Sequence, residues 1–149
     1  KGLIHRQSIY DGQNHLYQET TYTYRLKEIS TGADLPPSFR LRDDDAAFPA
    51  LVQKVVLNYE GQSDLSLSRT FTYEYDIFGN PVKEVDADGA GNTRTIQRTY
   101  HRDLQSYLVD KIHNETVTSG GEILRFTAFS IDERGNQISR RRADCSVPR

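Results

Sequence analysis

The residues best placed to do chemistry in this 149-residue chain are Asp86-x-Asp88-x-x-Gly91-Asn92, because carboxylates two apart can face one hard cation, as in a calcium loop. The detail argues against it. Ala90 stands at the fifth position and Gln97 where a bidentate glutamate belongs, so a plain hairpin tip is the expectation. His5, His15, His101 and His113 never fall at the i, i+4 spacing that sets two imidazoles on one helical face. Cys145 is the single cysteine, which excludes an internal disulfide and a Cys-rich zinc site. The run Asp43-Asp44-Asp45 points successive carboxylates in different directions and reads as a solvated turn. There is no G-x-S-x-G elbow, and Gly89-Ala90-Gly91 lacks the strand-to-helix setting of a phosphate-cradling loop. No catalytic residue, metal site or cofactor is expected, and the chain reads as non-enzymatic.

The elements that would position any site are strands. Nine tyrosines and six phenylalanines accompany no tryptophan, and the threonine, valine and tyrosine content favours β structure. Hydrophobic residues make up 36%, enough for one core and not for two, so residues 1–149 are read as a single unit. A chain that begins at Lys1 and contains no methionine is expected to be a fragment or a processed product. The formal charge of −2 balances 19 basic against 21 acidic residues and supplies no field for nucleic acid. No stretch approaches the roughly 20 apolar residues of a membrane-spanning helix, so no membrane insertion is expected.

Along the chain, residues 1–14 show only a possible turn at Ile9-Tyr10-Asp11-Gly12. Residues 16–29 alternate, with Tyr22, Tyr24 and Leu26 on one face and Thr21, Thr23 and Arg25 on the other. A proline-broken loop follows over residues 30–49, carrying Pro36, Pro37 and Pro49, with a short strand expected at Phe39-Arg40-Leu41. Residues 50–59 fit a helix or a strand, and their branched side chains favour a strand with Leu51, Val55, Leu57 and Tyr59 on one face. Strands are then expected over residues 66–75, 82–85, 93–100, 106–118 and 122–131, with Pro81 at a strand start or on an unpaired edge. Arg140-Arg141-Arg142 reads as a solvated strand end. The fold class expected is all-β, an antiparallel meander of hairpins.

Two tips share a signature. In Tyr75-Asp76-x-x-Gly79-Asn80 an aspartate opens a type I turn and a glycine three residues on supplies the positive φ that closes it. Ile131-Asp132-x-x-Gly135-Asn136 repeats that spacing after an alternating strand. Preceded by Thr70-Phe71-Thr72-Tyr73, the first resembles the YD-repeat of the RHS and YD-repeat proteins, and the second matches with its tyrosine replaced. The motif regions are residues 70–85 and 126–141. The wider order, from Tyr22-Thr23-Tyr24-Arg25-Leu26 through the proline-broken loop to Leu57-Asn58-Tyr59-Glu60 and the first tip, is similar to the B component of bacterial insecticidal toxin complexes.

That resemblance implies a segment of a spiral sheet forming a hollow β-shell, secreted or at a bacterial cell surface. Its partners would be the remainder of the shell, a C-terminal toxin cargo and a pore-forming protein. The self-cleavage signature of such shells has no match, so the resemblance implies wall and not machinery. Tyr75, Asp76, Gly79, Asn80, Asp132, Gly135 and Asn136 are the residues singled out, as structural turn residues. The alternative is a surface recognition module that binds carbohydrate or protein through exposed tyrosines.

Overall fold

The computed structural model describes residues 2–36, 38–40, 46–106 and 108–144. Leu41, the acidic run at residues 43–45, Pro37 and Cys145 lie outside the described residues. The fold is all-β, with nine strands among the described residues: β1 (Arg6–Tyr10), β2 (Leu16–Glu28), β3 (Ala47–Asn58), β4 (Leu67–Tyr75), β5 (Pro81–Asp88), β6 (Thr93–Tyr100), β7 (Ile112–Ser119), β8 (Glu122–Ile131) and β9 (Gln137–Asp144). They form one antiparallel sheet in sequence order, so every strand pairs only with its chain neighbours. No helix is long and apolar enough to cross a membrane among the described residues.

The register sorts side chains onto two faces, since residues opposite one another across a ladder point the same way. One face carries Tyr22, Lys54, Phe71, Asp86 and Arg94 in a row, with Tyr73, Glu84, Ile96, Val117 and Arg125 in the next. The opposite face carries the Thr-x-Thr pairs Thr21/Thr23, Thr70/Thr72, Thr93/Thr95 and Thr116/Thr118. Long tyrosine, arginine and phenylalanine side chains lie over one another on the first face, while short branched ones line the second. Among the described residues no second sheet or helix packs on either face. Among the described residues only Ala50, Val109, Val117, Thr20 and Thr127 are buried. The accessible surface is 10750 Å², against about 7,800 Å² expected for a compact monomer of this size.

Several expectations are corrected by tertiary detail. The loop expected over residues 30–49 ends early, because β3 starts at Ala47 and contains Pro49. Pro49 faces Leu26, whose carbonyl accepts the Leu35 N–H at 2.8 Å. The Leu26 backbone therefore points away from β3, and Pro49 occupies a pair that asks no N–H of it. Phe39 and Arg40 form no strand; the Phe39 N–H donates to the Pro36 carbonyl at 2.8 Å in a turn. On β3 the expected face is split, because Thr23 and Tyr24 oppose Gln53 and Leu51 and leave Val52 as a bulge. Leu51 thereby joins the tyrosine face while Val55 and Leu57 join the threonine face, which is why the stretch matched two periods. The strand expected over residues 106–118 begins only at Ile112. The Asp103 carboxylate accepts the N–H groups of Gln105 and Ser106 at 3.0 and 3.2 Å and turns the chain there ahead of β7. Finally, β5 extends to Asp88, longer than residues 82–85, with Pro81 at its start.

Candidate functional site

The Asp76 tip is a five-residue hairpin loop. The Asp76 N–H donates to the Asn80 carbonyl at 3.0 Å, and the Gly79 N–H to the Asp76 carbonyl at 3.1 Å. Gly79 sits at φ +82°, the left-handed conformation that a type I turn closed by a bulge requires. The Asp76 carboxylate fills the loop from inside, accepting the N–H groups of Phe78 and Asn80 at 2.9 Å each and the Asn80 amide at 3.1 Å. Asp132 makes the same set, with Arg134, Asn136 and the Asn136 amide at 2.9, 2.8 and 3.0 Å.

Two further copies went unrecognised in the sequence. Asp88 accepts the N–H groups of Ala90 and Asn92 at 3.0 and 2.8 Å and the Asn92 amide at 2.8 Å. Asp11 accepts the N–H groups of Gln13 and His15 at 2.8 Å each, with the His15 Nδ1 3.3 Å away in place of the amide. Asn14, at φ +65°, takes the glycine position there. Asp88-x-x-Gly91-Asn92 spells the signature outright and was hidden by its overlap with the calcium-like spacing. The Asp11 copy is legible only if asparagine is accepted at the left-handed position.

Three of the four tips agree in register as well. Tyr10 pairs with Leu16 and leaves Tyr17 over; Tyr75 pairs with Pro81 and leaves Val82; Ile131 pairs with Gln137 and leaves Ile138. Each bulge turns the returning strand at the same distance from its aspartate. The tyrosine of the motif then has its own task. Tyr75 donates its hydroxyl to the Leu51 carbonyl at 2.9 Å, and Tyr100 donates to the Pro81 carbonyl at 2.9 Å. Leu51 and Pro81 each precede a bulge residue, Val52 and Val82. On β8 the equivalent position is Ile131, which has no hydroxyl to offer the Ile112 carbonyl ahead of the His113 bulge. Burial raises the phenol pKa of Tyr75 and Tyr100 above the ordinary tyrosine value.

Neighbouring loops buttress the tips at one end of the sheet. The Asn80 amide donates to the carbonyl of buried Val109 at 2.8 Å, joining the Asp76 tip to the loop over residues 101–111. A Cβ on Gly79 would stand 3.5 Å from the Phe48 ring, and one on Gly135 would stand 2.7 Å from the Leu108 side chain. Asp76 and Asp132 are both half-buried, but the Asp76 tip keeps Phe78, Gly79 and Asn80 half-buried, whereas Glu133, Arg134 and Asn136 of the Asp132 tip are exposed.

The charged groups are mutually engaged. Arg69 holds Asp86 with two bonds of 2.7 and 2.6 Å, so Asp86 and Asp88 serve a cross-strand pair and a turn, respectively. Arg98 donates to Glu115 at 3.0 Å and Arg125 to Glu115 at 2.6 Å, with Glu84 3.9 Å from Arg98. Desolvation pushes the Glu115 pKa up, and the hydrogen bonds from Arg98 and Arg125 outweigh it and leave the value lowered. Amide and backbone bonds lower Asp88 and Asp132 likewise. His101 and His113 come together, with ring centroids 4.6 Å apart, although their spacing gave no hint of it. No group of three potential metal ligands converges among the described residues. Surface depressions of about 350 Å³ beside Arg69 and Asp86 and about 580 Å³ beside Leu35 and Phe39 mark the described surface. Among the described tyrosines, Tyr10 and Tyr17 are the exposed ones, at 55% and 47%, and lie on β1 and β2 at one edge of the sheet.

Comparison with known protein families finds no family model that matches the chain, and comparison with curated proteins finds no match.

Proposed function

We propose that this chain is a non-enzymatic wall segment of a YD-repeat shell that encloses or presents a C-terminal toxic polypeptide. The observation that carries the reading is that the described strands form a single nine-stranded antiparallel sheet in which only five described residues of the chain are buried. Such a sheet forms a boundary rather than a cleft. The repeated tips serve that role: each aspartate closes its own turn, each bulge bends the sheet at the same place, and the buttressing loops tie one hairpin to the next. A wall extended by adding hairpins needs this local self-sufficiency, because no shared core aligns its units.

The test is protection of cargo. In a polypeptide that joins this sheet to a C-terminal cargo, the cargo resists trypsin while the wall is intact. Replacing both Asp76 and Asp132 by alanine exposes it at protease concentrations that leave the unaltered protein whole. Cargo digested equally fast in both proteins sinks the proposal.

A further inference from the structure

We infer that His101 and His113 form a two-imidazole site for a tetragonal first-row cation, copper(II) or nickel(II), with water completing the coordination. The inference rests on geometry inside the sheet and stands independently of the shell reading. β6 ends at Tyr100, and the His101 N–H then donates to the Lys111 carbonyl at 2.8 Å, which carries the pairing one residue past the strand. The facing strand has a bulge there: Thr99 pairs with Asn114 and Tyr100 with Ile112, so His113 is left over. A bulge re-aims a side chain, and the two rings come to 4.6 Å between centroids with their planes 36° apart. β6 and β7 each have a strand on both sides, so the pair depends on neither end of the chain.

Two imidazoles bound to one ion have a characteristic separation. With metal–nitrogen bonds of about 2.0 Å, each ring centre lies about 3.2 Å from the ion, so the centres stand about 4.5 Å apart at a right angle and about 5.2 Å apart at a tetrahedral one. The observed 4.6 Å matches the right angle, the geometry of copper(II) and nickel(II) rather than of zinc. The His101 Nε2 is shielded from solvent and has no hydrogen-bond partner among the described residues. A nitrogen so placed lacks the bond that would offset its lost hydration, and a metal ion supplies one. His113 is exposed, so an ion reaches the pair from solvent, and a turn of its ring about the broad χ2 well aims a nitrogen inward. A bound ion ties the end of β6 to the bulge of β7. It thereby fastens the segment that carries Val109, whose carbonyl accepts the Asn80 amide at 2.8 Å.

Ring stacking alone also sets two imidazoles side by side, and the experiment separates that from ligation. The untagged 149-residue chain is titrated calorimetrically at neutral pH with the chlorides of copper(II), nickel(II), zinc or magnesium. The tightest site takes one copper(II) or nickel(II) ion per chain, binds zinc more weakly and does not bind magnesium. His113→Asn, at an exposed position, weakens nickel binding at least about tenfold, as does His101→Asn, whereas His15→Asn and Cys145→Ser leave it unchanged. In the unaltered chain copper(II) broadens the amide NMR signals of His101 and His113 ahead of all others, a readout that needs no variant. Absence of nickel binding overturns the inference. Zinc binding tighter than nickel also overturns it, as does broadening that begins at His5 or His15.

Discussion

Replacing Asp76 by alanine removes three accepted hydrogen bonds at a stroke: the Phe78 and Asn80 N–H groups at 2.9 Å and the Asn80 amide at 3.1 Å. The amide keeps its bond to the Val109 carbonyl at 2.8 Å, so its loss is small. The two backbone N–H groups are left facing a tip covered by Phe48 and residues 101–111. At about 1 kcal/mol for each hydrogen bond, the expected loss is about 2–3 kcal/mol. Asp132 makes the same three bonds in a more open tip, whose Glu133, Arg134 and Asn136 are exposed, so water replaces more of what is lost and Asp132→Ala costs less. Urea unfolding followed by far-ultraviolet circular dichroism measures both variants, at constant slope. A smaller loss at Asp76 than at Asp132, or a loss under about 1 kcal/mol at Asp76, refutes the idea that buttressing gives the first tip its weight.

The tyrosine device makes a paired prediction: Tyr75→Phe lowers stability by about 1 kcal/mol, while Ile131→Tyr raises it by up to that amount by reaching the Ile112 carbonyl, both read from the urea midpoint. Gly79→Ala places a Cβ at φ +82° and costs about 1–2 kcal/mol, measured the same way. Glu115→Gln leaves Arg98 and Arg125 facing a neutral side chain that is 15% exposed and costs about 1–2 kcal/mol, a loss that Arg98→Gln in the same protein partly relieves. The carboxyl pKa values of Asp11, Asp88 and Asp132 are lowered in the folded chain, so the unfolded chain takes up protons first as pH falls. Their stabilisation is full above about pH 4 and is lost as pH drops through the folded values; the urea midpoint followed from pH 7 to about pH 2.5 shows the decline, and Asp88→Asn makes it shallower.

Much of the fold was readable because its determinants are local. Alternation in residues 16–29 marks β2, and Asp76 with Gly79 marks a turn whose bonds all lie within five residues. A meander pairs each strand with the next, so chain order gives sheet order once turns are placed. Bulges were not readable. Val52 shifts one side of β3 by a residue, and nothing in Leu51-Val52-Gln53 distinguishes it until Tyr24 and Thr23 are in place opposite. Position 49 misled for a related reason, since a proline breaks a ladder only where an N–H is needed, and the partner strand decides where that is. The hairpin tip at Asp86–Asn92 was legible, but its kinship with the Asp76 tip is masked by Asp86, which overlays a cation-like spacing on Asp88-x-x-Gly91-Asn92 and is in fact held by Arg69.

By itself the sequence determined that the chain is all-β, where most strands run, and that Asp76 and Asp132 close turns, because period-two alternation and aspartate-to-backbone bonding act over a few residues. Only the tertiary structure decided that the described strands share one sheet, that tyrosines bond the carbonyls ahead of bulges, and that Val109 and Phe48 cover one tip more fully than its twin. Those features depend on register and on contacts between distant segments. They arise only when every strand has found its neighbour, and the wall proposal rests on them.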